Sequence, residues 1–189
     1  MRIISGKHKG RRIELPSDVS DKIRPTSDFA REAIFNILTH GKFGLNGHSF
    51  IDKLVLDVFC GTGAFGLEAL SRGAASVTFI DQSRESIAIA KHNAVRLKES
   101  EQAQFIIADA TKLSAAKKSF SLIFLDPPYF SKLIPPTLKS LRAGGWIAPE
   151  ALIVIEHDAK EKIELPEHFK VVDERRYGRA IVELLKQSS

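Results

Sequence analysis

The sequence predicts an α/β domain with a largely parallel sheet. Three observations carry that reading. From Leu54 onward short apolar runs alternate with helical segments, and such alternation implies right-handed crossovers between parallel strands. The run Val55-Leu56-Asp57-Val58 leads straight into a glycine-rich turn, Gly61-Thr62-Gly63, that opens a helix. The last two strand-like runs lie close enough together to pair as an antiparallel hairpin across Tyr177-Gly178.

In chain order, Arg2 to Ile4 and Arg11 to Leu15 flank a turn region from Gly6 to Gly10, which reads as a small N-terminal β-hairpin. After Pro16 and Pro25 a helix is expected from about Ser27, with Asp28 in its first turn and Ala30, Ile34 and Leu38 recurring on one face beside Phe29, Ala33 and Ile37. Gly41 to Gly47 makes a loop. Strand and helix then alternate as 54–58 and 64–72, 76–80 and 84–98, and 104–107 with a weak helix at 110–117. Strands at 122–125, 151–155, 170–173 and 180–185 complete the series. No repeat or interdomain linker interrupts it, so residues 1–189 read as one domain, with 1–25 as the hairpin extension and 26–189 as the core.

Composition narrows the class. The 189 residues are 43% hydrophobic and 27% charged, which is ordinary globular usage. A single cysteine, Cys60, cannot close an intrachain disulfide, and no charged-then-apolar leader follows Met1, so a cytoplasmic location is expected. The longest apolar runs fall far short of the roughly 20 residues of a membrane span. His8, His40, His48, His92, His157 and His168 are scattered without metal-ligand spacing, so no metal site is expected. The net charge of +5 is local: Arg2, Lys7, Lys9, Arg11 and Arg12 lie in the first twelve residues with no acid, and the remaining basic residues balance the 23 acidic ones. Such a tip suits nucleic-acid phosphates, or else simply blunts a solvated edge strand.

The glycine spacing Gly61, Gly63, Gly66 by itself fits a dinucleotide site, and Asp81, twenty residues on, suits a ribose hydroxyl. Asp57 argues against a pyrophosphate, because a carboxylate at the strand end repels it and suits an ammonium instead. Asp109 can accept from an adenine amino group, with the Ala110 amide beside it. Three strand-end carboxylates in this order fit a ligand bearing an amine, a ribose and an adenine, as in S-adenosylmethionine. The candidate cofactor residues are Asp57, Phe59, Gly61, Gly63, Asp81, Gln82, Asp109 and Ala110. Cys60 has no neighbouring base and reads as a small packed residue of the turn, not a nucleophile.

Asp126-Pro127-Pro128-Tyr129 follows the apolar strand 122–125 and therefore lies at the same sheet edge as the glycine turn. The two prolines hold an extended course and keep the Pro127 carbonyl out of the ladder. That carbonyl and the Asp126 carboxylate can accept both hydrogens of one NH2 group. The pair draws a delocalised base nitrogen towards tetrahedral geometry and frees its lone pair for attack on a sulfonium methyl. Tyr129 offers a face for a flipped or unpaired base. Asp126, Pro127 and Tyr129 are the candidate catalytic residues.

Taken together, Arg2-Ile3-Ile4-Ser5-Gly6 with Gly10-Arg11-Arg12, Arg24-Pro25-Thr26 with Arg31-Glu32 and Phe35-Asn36, Glu68 to Gly73, and Asp126-Pro127-Pro128-Tyr129 resemble the RsmD family of 16S ribosomal RNA guanine-N2-methyltransferases. The Asp-Pro-Pro-Tyr motif is shared with DNA amino-methyltransferases and protein glutamine methyltransferases, whereas the N-terminal segment is specific to the RsmD pattern. The resemblance implies a Rossmann-like S-adenosylmethionine-dependent methyltransferase fold with a seven-stranded sheet. It also implies a guanine of 16S rRNA as acceptor, met within an assembled small-subunit particle, with no membrane and no protein partner needed for catalysis. The candidate RNA-binding residues are Arg2, Lys7, Lys9, Arg11, Arg12 and Arg24. The competing readings are a DNA amino-methyltransferase, an NAD-binding oxidoreductase and a non-catalytic RNA-binding module.

Overall fold

A computed structural model describes residues 1–15, 28–40 and 50–188. The expected glycine loop at 41–47, the residues 16–25 of the extension and Arg24 lie outside the described residues. Helix α1 (Asp28–His40) precedes an alternating series: β1 (Leu54–Val58), α2 (Ala64–Ser71), β2 (Ser76–Asp81), α3 (Arg84–Leu97), β3 (Ala103–Ile107), β4 (Phe120–Leu125), α4 (Ile134–Ala143) and β5 (Ile147–Asp158). Strands β6 (Phe169–Tyr177) and β7 (Ala180–Gln187) end the chain.

The sheet has seven strands in the order β3-β2-β1-β4-β5-β7-β6. The first five are parallel, and β7 pairs antiparallel with both β5 and β6. The order reverses between β1 and β4, and open α/β sheets bind ligands in the crevice outside the carboxyl ends of strands at such a reversal. The glycine turn follows β1 and the Asp126 segment follows β4, so the topology brings the two strongest sequence signals to one crevice.

Strand residues alternate between two apolar layers. One contains Val55, Val77, Phe124 and Val154, packed with Phe35 and Leu38 of α1, Phe65 and Leu67 of α2, and Ala90 and Ala94 of α3. The other contains Leu56, Ile80, Ile123, Leu125 and Ile155 with Leu138 and Leu141 of α4.

Four expectations need correction. The N-terminal β-hairpin is reduced to one antiparallel bridge, Arg2 to Arg12, around a single 3₁₀ turn at Gly6–His8. Its stem is held down by Ile3 and Ile13, which are buried in the first layer. The weak helix at 110–117 is only the 3₁₀ turn Ala110–Lys112. Helix α4 has no counterpart among the elements read from the sequence, and it carries Pro135 and Pro136. They sit in its first turn, where the missing N–H groups cost nothing. Finally, β5 extends beyond the apolar run through Glu156, His157 and Asp158, all three of them buried.

Candidate active site

Backbone geometry shapes the turn after β1. Phe59, Gly61 and Gly63 all have positive φ, at 62°, 51° and 78°. The Cys60 amide donates to the Ile80 carbonyl at 3.1 Å and the Gly63 amide to the Cys60 carbonyl at 2.7 Å, which ties the turn to β2 and closes it on itself. A Cβ placed on Gly61 would meet nothing within 4 Å, so the turn faces open space there. A Cβ on Gly66 would lie 2.3 Å from the Phe79 ring, so that glycine lets α2 sit close against β2.

Three acidic side chains surround the turn. Asp57 is 2% exposed, and its Oδ2 accepts from the Gly66 amide at 2.9 Å. Burial pushes its carboxyl well above the usual range, and the charges of Asp126 and Asp81 push the same way. Asp81 accepts from the Gly61 amide at 3.0 Å and the Ser83 amide at 2.9 Å, so it joins the glycine turn to the start of α3. Asp109 is exposed at the end of β3. It caps the 3₁₀ turn through Thr111, whose amide and hydroxyl donate at 2.9 and 2.7 Å and hold its carboxyl below the usual range. Gln82 is exposed beside Asp81, and Ala110 is buried beside Asp109. Burial raises the Cys60 thiol, with Asp57 and Asp81 adding to the effect, so it stays a protonated packing residue.

Across the crevice, Asp126 is half-buried, Pro127 buried and Tyr129 half-buried. The Tyr129 hydroxyl donates to Glu156 Oε1 at 3.2 Å. Burial, then the charges of Glu156 and Asp126, push that hydroxyl up, which keeps it a donor. The Phe130 amide donates to Glu161 Oε2 at 3.0 Å, with Phe130 itself exposed and at φ 59°. Glu156 escaped the sequence reading because the apolar run of β5 stops at Ile155, and a charged residue after such a run looks like a loop. Burial, reinforced by Asp126, raises its carboxyl to about 8. Among the described residues, none of Asp57, Asp81 and Glu156 has a Lys or Arg ion-pair partner. A crevice with this many carboxylates and open space at Gly61 fits a ligand that brings its own positive charge and an amine.

The basic N-terminal tip rests elsewhere on the same layer. The Ile4 and Ser5 amides donate to the buried Glu68 at 2.7 and 2.9 Å, and the His8 amide donates to Ser71 Oγ at 3.0 Å. Glu68 and Ser71 belong to the last turn of α2, so the tip lies at the opposite end of that helix from the glycine turn. Several of the predicted RNA-binding side chains also make internal bonds. Arg2 donates to the Gly10 carbonyl at 2.7 Å, Lys7 pairs with Glu99 at 2.7 Å, and Arg11 donates to the Arg96 carbonyl. Lys9 and Arg12 are exposed. The stem returns towards the crevice at Glu14, whose backbone bonds the Asn93 side chain. Asn93 also donates to the Thr62 carbonyl of the glycine turn at 3.1 Å. No spacing rule marks Asn93, since it pairs residues far apart in the chain.

No helix among the described residues is long and apolar enough to cross a membrane, and no His, Cys, Asp and Glu group among them could hold a metal ion.

The family model described as conserved hypothetical protein 95 matches residues 1–186. Ribosomal RNA small subunit methyltransferase D of Escherichia coli is 32% identical over 191 residues, which covers 100% of this chain and 91% of that protein. The enzyme of the same name from Haemophilus influenzae is 34% identical over 183 residues, covering 94% of this chain and 89% of its own length. Among solved structures, a candidate methyltransferase from Escherichia coli, yhhF, superposes with a TM-score of 0.81 at 31% identity, covering 100% of this chain and 98% of that one.

Proposed function

The chain belongs to the RsmD family, and on that premise we propose that it transfers a methyl group from S-adenosylmethionine to the exocyclic N2 amine of a guanine in 16S rRNA. The observation that carries the reading is the placement of Asp126-Pro127-Pro128-Tyr129 across one crevice from the Asp57 and Gly61 turn, at the reversal of strand order. The substrate is an assembled small-subunit particle in the cytoplasm, and no protein partner is needed for catalysis. Residues 1–189 act as one domain.

Asp57 takes the ammonium of the cofactor, Asp81 with Gln82 its ribose, and Asp109 with the Ala110 amide its adenine. Phe59, Gly61 and Gly63 shape the wall between them. S-adenosylmethionine supplies an electrophilic methyl on a cationic sulfur. Asp126 and the Pro127 carbonyl accept the two hydrogens of the amine, fix its lone pair towards the donor side and stabilise the positive charge that grows on nitrogen. Tyr129 stacks on the flipped base, with its hydroxyl anchored to Glu156. Arg2, Lys7, Lys9, Arg11, Arg12 and Arg24 meet phosphates.

The test is Asp126→Ala on small-subunit particles from a strain lacking the gene, followed by nucleoside mass spectrometry. Turnover is expected to fall about a hundredfold or more, the scale for losing a charge-stabilising partner, with cofactor affinity nearly unchanged. Asp81→Ala is expected to do the reverse first, weakening the cofactor. Near-normal methylation by Asp126→Ala would mean that the transfer chemistry lies elsewhere.

A further inference from the structure

We infer that Glu156 reads the acceptor base: its Oε2 accepts from the ring N–H beside the exocyclic amine, so that guanine is taken and adenine and cytosine are refused. The inference rests on the proposed transfer to a guanine amine and assigns the residue that selects that base.

Placement comes first. Leu125 of β4 pairs with Ile155 of β5 in the last rung of that ladder, and Asp126 and Glu156 are the next residues along the two segments. Phe124 and Val154, two residues earlier, both point into the layer under α2. Side chains alternate along a strand, so Glu156 shares the face of Val154, and the Asp126 charge that acts on it sets the two carboxyls near each other at the crevice.

The second observation is an unmet bond. Glu156 is 5% exposed, and one oxygen, Oε1, is engaged by the Tyr129 hydroxyl. The other, Oε2, is buried without a hydrogen-bond partner among the described residues. A buried carboxyl oxygen left in this state is costly, and a donor supplied by a ligand offsets that cost.

Base chemistry supplies the missing donor. With the amine held by Asp126 and the Pro127 carbonyl, the next atom along the base edge is a ring nitrogen. In guanine the flanking nitrogen on the pairing edge, N1, carries a hydrogen, whereas the corresponding nitrogen of adenine and cytosine presents a lone pair. An ionised carboxylate can only accept, so it matches guanine and sets lone pair against lone pair with the other two. In the empty site burial and Asp126 favour the protonated acid. An incoming N–H donor and a cationic methyl donor both favour the ionised form, so guanine binding expels that proton to solvent. The titratable groups that face Glu156 are Asp126 and Tyr129. The adjoining strand β7 sets Val182 opposite it, and Glu183 on that strand is turned to His157.

The experiment uses particles reconstituted with 2-aminopurine in place of the methylated guanine, a base that keeps the 2-amino group and lacks the ring N–H. For the wild-type protein kcat/KM on guanine is expected to exceed that on 2-aminopurine by about a hundredfold or more. Glu156→Gln, whose amide can also donate, should narrow the ratio to within about tenfold, chiefly by gaining on 2-aminopurine. Because each ratio is taken within one protein, partial loss of fold cancels, and calorimetry with S-adenosylhomocysteine checks that the cofactor site is intact. An unchanged ratio in Glu156→Gln overturns the assignment while leaving guanine methylation standing. A wild-type protein that methylates a different base overturns both.

Discussion

Asp57 and Glu156 are carboxyl groups that the fold removes from water without giving either a Lys or Arg partner among the described residues. For Glu156 the folded-state affinity for a proton exceeds the unfolded one, near 4.5, and reaches about 8. Between those two values the unfolded chain releases a proton that the folded chain keeps, so stability falls as pH rises through this window. Each pKa unit corresponds to about 1.4 kcal/mol, so the effect is on the order of a few kcal/mol. Glu156→Gln removes the titration. Its denaturant midpoint relative to wild type is expected to be higher at pH 8 than at pH 5, and an equal difference at both would show that Glu156 stays ionised in the empty fold. A site that gains stability when disarmed is one shaped for its ligand rather than for folding.

At the scale of elements, a glycine of the turn after β1 and a glycine of α2 do separable jobs. Gly66 lies on α2 against β2, where an added methyl meets the Phe79 ring at 2.3 Å and Val77 at 2.7 Å. Gly66→Ala therefore overpacks a rigid interface and is expected to cost about 1–3 kcal/mol of stability. It also displaces the amide that holds Asp57, so cofactor affinity falls with it. Gly61→Ala meets no protein atom, and its φ of 51° costs only about 1–2 kcal/mol in an alanine. Its methyl enters the open space that the proposed function gives to the cofactor, so affinity is expected to fall far more than melting temperature. Thermal melts beside calorimetric titration of both variants check this pattern, and matching losses in the two would place Gly61 outside the ligand's wall.

At the scale of the molecule, the N-terminal segment is a brace, and the proposed function makes it an RNA-facing surface as well. Ile3 and Ile13 anchor it, Glu68 and Ser71 hold its turn on α2, and Asn93 links its stem to the glycine turn. The eight-residue α2 rises about 12 Å from the glycine turn to its last residue, and the tip rests on its last turn. An acceptor touching both must extend well beyond one nucleotide, which suits a folded RNA surface. Arg2, Lys7 and Arg11 also make internal bonds, so Lys9 and Arg12 are the cleaner probes of phosphate binding. Lys9→Ala with Arg12→Ala should weaken RNA binding and flatten its salt dependence by about one unit of slope for each phosphate the tip no longer neutralises, with cofactor affinity unchanged. An unaltered slope, read from filter binding at several salt concentrations, would leave the tip a brace alone.

Read by itself, the sequence determined the α/β class, the parallel run of strands, the antiparallel ending and the two motifs at the sheet edge. Each of these rests on short-range pattern: strand alternation, the backbone freedom of Gly61 and Gly63, and the extended course that Pro127 and Pro128 impose. It placed no element between Leu125 and Ala151, where α4 stands with Pro135 and Pro136 in its first turn. It also stopped β5 one residue short of Glu156. Only the tertiary structure decided which polar groups lose water and which partners they keep. Glu156 meets Tyr129 across 27 residues, Glu68 meets Ile4 across 64, and Asn93 meets Thr62 across 31. The physical reason is that turns and periodicity are set by neighbours in the chain, whereas desolvation and hydrogen-bond completion are set by whatever the folded sheet and helices bring alongside.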